Sequence, residues 1–259
     1  MTLDAALAAA ATLIALAFAC STFDRWLARR RRYDLAWSIA LAMFTVASAA
    51  LWLGSSAGWS GPTFRVFFLF GAILNVPYLA LGTVYLLGSQ RTGDRVAVAI
   101  TAVAIFSAGV MTATPLLESV SGTELPTGRE VFGPLPRVLA AVGSGGAAII
   151  VIAGAVLSAW RVLAGRERSR GRGIAAHPRR LAIGNVLIAL GTLVLGASGT
   201  LNGRLGASTA FAVTLTIGVT VLFAGFLVAT SQPHLRAVRT KPSDSAEGAT
   251  QDLASPALG

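Results

Sequence analysis

Long apolar runs and short polar connections alternate along this chain from its first residues to about residue 230. A membrane span needs about 20 predominantly apolar residues, because the hydrocarbon layer is roughly 30 Å thick and a helix rises 1.5 Å per residue. Seven runs meet that length: Leu3 to Cys20, Leu35 to Leu53, Val66 to Leu87, Val96 to Thr114, Val138 to Trp160, Leu181 to Leu201 and Leu205 to Thr230. The cut between the third and fourth falls at Gln90, Arg91, Asp94 and Arg95. One Arg at mid-membrane costs about 3 kcal/mol, so a boundary there is cheaper than a continuous apolar hairpin. The expected fold is all-α, a polytopic bundle of seven transmembrane helices over residues 1–230. From Ser231 the chain turns to Pro, Ser, Ala, Gly and Asp, and 231–259 reads as a disordered cytoplasmic tail.

Composition strengthens this reading. With 54% hydrophobic and 12% charged residues, the chain has too little polar material to cover a soluble core, so the surplus must face lipid. The net charge of +10 is segregated. Arg25 and Arg29 to Arg32, then Arg91 and Arg95, then seven arginines from Arg161 to Arg180, then Arg236, Arg239 and Lys241 fall on alternate connections and the tail. Only Arg65, Arg129, Arg137 and Arg204 fall on the other side. The positive-inside rule then places the N-terminus outside and the C-terminus in the cytoplasm, which requires an odd number of spans. The same basic connections offer anionic lipid headgroups or an acidic partner protein a landing surface, although setting orientation already explains them. Because the charge forms no single patch, nucleic acid is not an expected partner. The first span carries Asp4 before its apolar run and arginines after it, the reverse of a signal peptide, so Cys20 is expected at the cytoplasmic end of a retained helix.

Chemistry is sparse inside the spans. No Asp, Glu, Lys, Arg or His lies well away from a span end, which argues against proton relays and ion-coupled transport. A retinal Schiff base needs a lysine in the last span, and Lys241 lies in the tail; facing haem histidines are missing too, since His177 and His234 fall in predicted cytoplasmic segments. Gly196-Ala197-Ser198-Gly199 matches the short nucleophile motif of rhomboid-type intramembrane proteases, but without a histidine a serine hydroxyl stays a weak nucleophile. No cofactor, metal or catalytic residue is therefore assigned.

The third span is the most distinctive. Gly71, Asn75, Tyr78, Gly82 and Tyr85 follow at intervals of 4, 3, 4 and 3, which puts a small and polar stripe on one helix face. Pro77 lacks an N–H and clashes with the preceding turn, so a kink is expected there, with the carbonyl near Ile73 left for Asn75 or a neighbouring helix to serve. Asn185, Ala189, Thr192, Gly196 and Gly199 repeat the spacing in the sixth span, and Thr214, Gly218 and Gly225 make a weaker stripe in the seventh. Two accounts fit. In one, glycines allow close helix approach and the two asparagines hydrogen-bond across helices. In the other, the third and sixth helices border a small polar cavity for a neutral ligand, with Asn75, Tyr78 and Asn185 as its contacts. The outer segment from Pro115 to Pro136, with Glu118, Glu124, Arg129 and Glu130, is expected either to pack locally, to cap the bundle or to meet a ligand.

Phe23-Asp24-Arg25-Trp26, the arginines after it and Gly71-Ala72-Ile73-Leu74-Asn75-Val76-Pro77 resemble segments of multipass membrane proteins of high-GC bacteria. That resemblance implies a seven-helix protein of a bacterial plasma membrane and brings no biochemical activity with it. The layout with an outer N-terminus is also similar to the membrane sensor regions attached to some bacterial histidine kinases. The function expected is a non-enzymatic membrane protein, sensory or accessory, with a facilitator for a small neutral solute as the alternative. In a Cys20→Ala background, Glu124→Cys is expected to react with an impermeant thiol reagent only from outside the cell. Arg166→Cys should react only from the cytoplasmic face; labelling of both from one side overturns the orientation.

Overall fold

The computed structural model describes residues 3–163, 183–184, 186–195 and 208–230. Among these, 88% are helical and none is in a strand. We number the long helices α1 (Leu3–Arg29), α2 (Arg32–Ala57), α3 (Gly61–Leu87), α4 (Gln90–Ala113), α5 (134–163), α6 (Val186–Leu195) and α7 (Ser208–Thr230). Six of them, all but α6, are long and apolar enough to cross a membrane, and the described part of α6 is a shorter apolar helix. The helices of the first four spans run past the apolar windows read from the sequence, because backbone hydrogen bonding continues into the polar flanks while hydropathy stops at the hydrocarbon edge. Asn185, Ser198, His177, His234, Lys241 and the segment 231–259 lie outside the described residues.

α2 is the central helix, packed against α1 on one side and α3 on the other, and α1 in turn lies against α7. Small residues make this possible. Ala5, Ala8, Ala11, Ala15 and Ala19 line the buried side of α1, at intervals that keep one helix face. Without a difference in polarity between lipid and side chains, helices gain most from close van der Waals approach, which small residues permit. The same device joins α6 to α7: a Cβ built on Gly191 would lie 2.7 Å from the Leu222 nitrogen, and one on Gly225 would lie 2.7 Å from the Leu187 Cβ. α4 is peripheral, with Val98 71% and Ile105 70% exposed, as expected of a face turned to lipid.

The two ends of the bundle are each tied. At one end Arg32 bonds Asp94, which also accepts from the Tyr85 hydroxyl at 2.8 Å, so the α1–α2 and α3–α4 connections sit together. Nearby, Arg25 pairs with the fully buried Asp34 at 3.2 Å and lies over the Phe226 ring. At the other end the Trp59 N–H donates to the Gly122 carbonyl at 2.7 Å. Arg65 caps the C-terminal carbonyls of α4, donating to Met111 and, at 2.6 Å, to Thr114. A cation at a helix C-terminus meets both its unpaired carbonyls and the negative end of its dipole.

α3 is where the chain departs from regular helix. Residues Phe68–Leu74 form a π-helical segment in which the Asn75 N–H reaches the Phe70 carbonyl, five residues back. Ala141–Gly146 of α5 form a second one. In an α-helix the N–H missing at Pro77 would have served the Ile73 carbonyl; in the widened turn it would have served that of Ala72. Both carbonyls meet the second π segment. The Ser144 hydroxyl donates to the Ala72 carbonyl at 2.5 Å, and α5 comes so near the Ile73 carbonyl that a Cβ on Gly143 would lie 2.9 Å from that oxygen. A neighbouring helix, α5, thus supplies a donor to the Ala72 carbonyl. Gly143→Ala is expected to cost about 1–3 kcal/mol through this clash with backbone. Gly145→Ala, two residues on, where an added Cβ meets nothing within 4 Å, should be tolerated; thermal unfolding in detergent compares the two.

Candidate functional site

A cavity of about 540 Å³ lies between α2, α3, α5, α6 and α7, within the roughly 300–1,000 Å³ usual for small-molecule sites. Its position follows from the backbone just described. The two π segments touch each other through Ser144 and the Ala72 carbonyl and together form one side of it, with Gly71 and Ala72 of α3 and Ala141 and Ser144 of α5 in its lining. Thr192 and Leu195 of α6 and Phe211, Leu215 and Val219 of α7 complete the wall. The third and sixth helices do border a cavity, but its lining is mainly aromatic and aliphatic rather than polar.

Aromatic packing builds the half of the cavity nearest the α4–α5 connection. Phe64, Phe67 and Phe68 project at spacings of three and four, one face of α3. Trp59 stands edge-on to Phe64, and Phe132 stacks on Phe64 with ring centres 5.4 Å apart. Buried Val131 and Phe132 anchor the segment between α4 and α5, and the Leu117 N–H donates to the Val131 carbonyl at 3.0 Å. That segment therefore caps the bundle, and Leu125 to Arg129 form one boundary of the cavity. Gly128 is required by this contact: a Cβ there would lie 2.5 Å from the Phe68 ring.

The polar stripe of α3 is divided among three neighbours. Asn75 lines the cavity. Tyr78 does not; its hydroxyl is 3.4 Å from Thr101 on α4. Tyr85 joins Asp94, while Gly82 lies under the Trp37 indole of α2, which donates to the Leu79 carbonyl at 3.2 Å. A central helix meets different helices across one face, so equal spacing along it does not mean a common destination. Asn185 lies outside the described residues, and the structure brings Asn75 and Tyr78 to different surroundings.

Asn75 is chemically conspicuous. Its Oδ1 is buried and has no hydrogen-bond partner, and its amide makes no hydrogen bond among the described residues. Most span hydroxyls, by contrast, are satisfied within their own helices: Thr45, Ser48, Thr192 and Thr214 each donate to a carbonyl four residues back. A buried unpaired amide costs about 1–3 kcal/mol. The Phe64, Phe67, Phe68 spacing was the signal in the sequence that marked this site; the unpaired state of Asn75 had none. Among the described residues no group of three or more His, Cys, Asp or Glu side chains comes together.

No family model matches the chain, and neither the curated proteins nor the solved structures provide a match. The fold defines the class: an all-α chain with six helices fit to cross a bilayer, a polytopic membrane protein with an apolar cavity among its helices. Asn75→Leu removes an unpaired amide at no cost in hydrogen bonds, so in the ligand-free protein it should raise stability by about 1 kcal/mol. A fall in the thermal midpoint instead would mean that Asn75 holds helices together.

Proposed function

We propose that this chain is a ligand-binding membrane module, sensory or accessory rather than catalytic, with seven spans, an outer N-terminus and a cytoplasmic C-terminus in a bacterial plasma membrane. One observation carries the binding reading: an apolar cavity, capped on one side by the segment between α4 and α5, is lined by one side-chain amide among the described residues, and its oxygen has no partner. Ligands bind in concave, mainly apolar sites with few polar groups to orient them. The orientation is supported by the ties at the two ends. Arg32 with Asp94 groups two of the Arg-bearing connections, and Trp59 with Gly122 groups two Arg-poor ones. The close packing of the described part of α6 on α7 supports a seventh span. A cytoplasmic protein partner would meet the Arg-rich inner face.

The facilitator for a small neutral solute draws less support. A path for such a solute needs polar groups turned toward it, and the span hydroxyls here donate to their own helices. The test uses the full chain in detergent with an environment-sensitive apolar fluorophore. The wild type is expected to bind it, and Ala148→Phe, which fills the cavity wall, should weaken binding about tenfold or more with the thermal midpoint retained. Equal binding by both proteins overturns the cavity as the site.

A further inference from the structure

We propose that the cavity takes a single-chain amphiphile whose acidic head meets Arg129 and whose tail carries a hydroxyl at the level of Asn75. This rests on the ligand-binding reading above and names the class of ligand. Shape is the first argument. Lining residues run from Phe64 to Leu79 on α3, about 22 Å of helix, and from Phe211 to Leu222 on α7, about 16 Å. A volume of about 540 Å³ drawn out over that length is a narrow slot along the bundle axis, suited to an extended chain rather than a compact solute. Its walls, Phe44, Phe64, Phe67, Phe68 and Phe211 with aliphatic neighbours, suit a hydrocarbon tail.

Polarity is the second argument, since the slot is not uniform. Arg129 is the one charged residue lining it among the described residues, and it stands at the outer end, exposed. Its guanidinium makes no hydrogen bond or ion pair among the described residues. The neighbouring carboxylate of Glu130 is engaged by the Thr127 hydroxyl at 2.7 Å. Contact of Gly128 with the Phe68 ring sets Arg129 at the level of Phe68. Asn75 lies about 10 Å further along the helix. A carboxylate or phosphate fits the guanidinium, where charge-assisted hydrogen bonds form. A hydroxyl, which both donates and accepts, fits the amide in either orientation.

The experiment measures displacement of the apolar fluorophore from the full-length protein in detergent by four probes: stearate, a mid-chain hydroxystearate, octadecanol and octadecyl phosphate. In the wild type, hydroxystearate is expected to bind most tightly of the carboxylates, and octadecanol about tenfold more weakly than stearate, the size of one charged contact. Arg129→Gln should bring stearate down to the level of octadecanol and leave octadecanol unchanged. Asn75→Leu should abolish the advantage of hydroxystearate and spare stearate. Octadecyl phosphate separates the two sources of an acidic head: whichever of it and stearate binds more tightly, with the same loss in Arg129→Gln, identifies the head. Equal affinity of stearate and octadecanol for the wild type, an Arg129→Gln protein with undiminished stearate binding, or no preference for the hydroxy acid overturns the assignment. If octadecanol still displaces the fluorophore in that event, the cavity remains a ligand site and only the ligand class falls. If the fluorophore itself does not bind, the binding reading falls with it.

Discussion

The seam between α3 and α5 depends on the carbonyls of α3 that the missing N–H of Pro77 would have served. In hydrocarbon no water is present to take over a broken helix bond, and an unpaired carbonyl there costs several kcal/mol. Pro77 withdraws the N–H that Ile73 or Ala72 would use, so another helix must supply a polar or closely fitting neighbour. The Ser144 hydroxyl of α5 does so for Ala72, and Gly143, having no side chain, lets α5 come close enough for that bond. The glycines of Ala141-Val142-Gly143-Ser144-Gly145-Gly146 also tolerate the wide turn that brings Ser144 into place. The α3–α5 contact is thereby set, and with it the side of the cavity that the two widened turns share.

Elsewhere the bundle is conventional in its physics. Alanine on α1 and glycine on α6 and α7 let backbones approach, and the buried Asp34 carboxylate is balanced by Arg25 at a helix end rather than in mid-membrane. Contrast between these tight seams and the aromatic walls between α2, α3 and α7 explains where space remains. Large rings that stack on one another, such as Phe64 on Phe132, hold a wall open where alanines would let it close.

The segment that carries Arg129 closes one end of this space. Its attachment is apolar at Phe132 and Val131 and polar at the Trp59–Gly122 hydrogen bond, so it is held from two sides of the opening. Arg129 stands on this cap and Asn75 on α3, and the wall of the cavity is mainly apolar, with Thr127, Ser144 and Thr192 among its polar residues.

Helix content, the membrane setting and the boundaries between α1, α2, α3, α4 and α5 were all legible from hydropathy and charge, since lipid imposes a length and a polarity on each span independently of its neighbours. The missing N–H of Pro77 was legible for a similar reason, being a local property of the chain. Which helix would answer it was not, because Ser144 is 72 residues from Ala72 and an isolated serine among glycines gives no sign of its distant partner. The stripe from Gly71 to Tyr85 illustrates the same limit: periodicity reported a shared face, yet α2, α4 and the cavity divide that face among them. One-dimensional pattern carries what each segment needs from its solvent, whereas the cavity exists only through the distances between segments, and those are fixed when backbones far apart in the chain pack together.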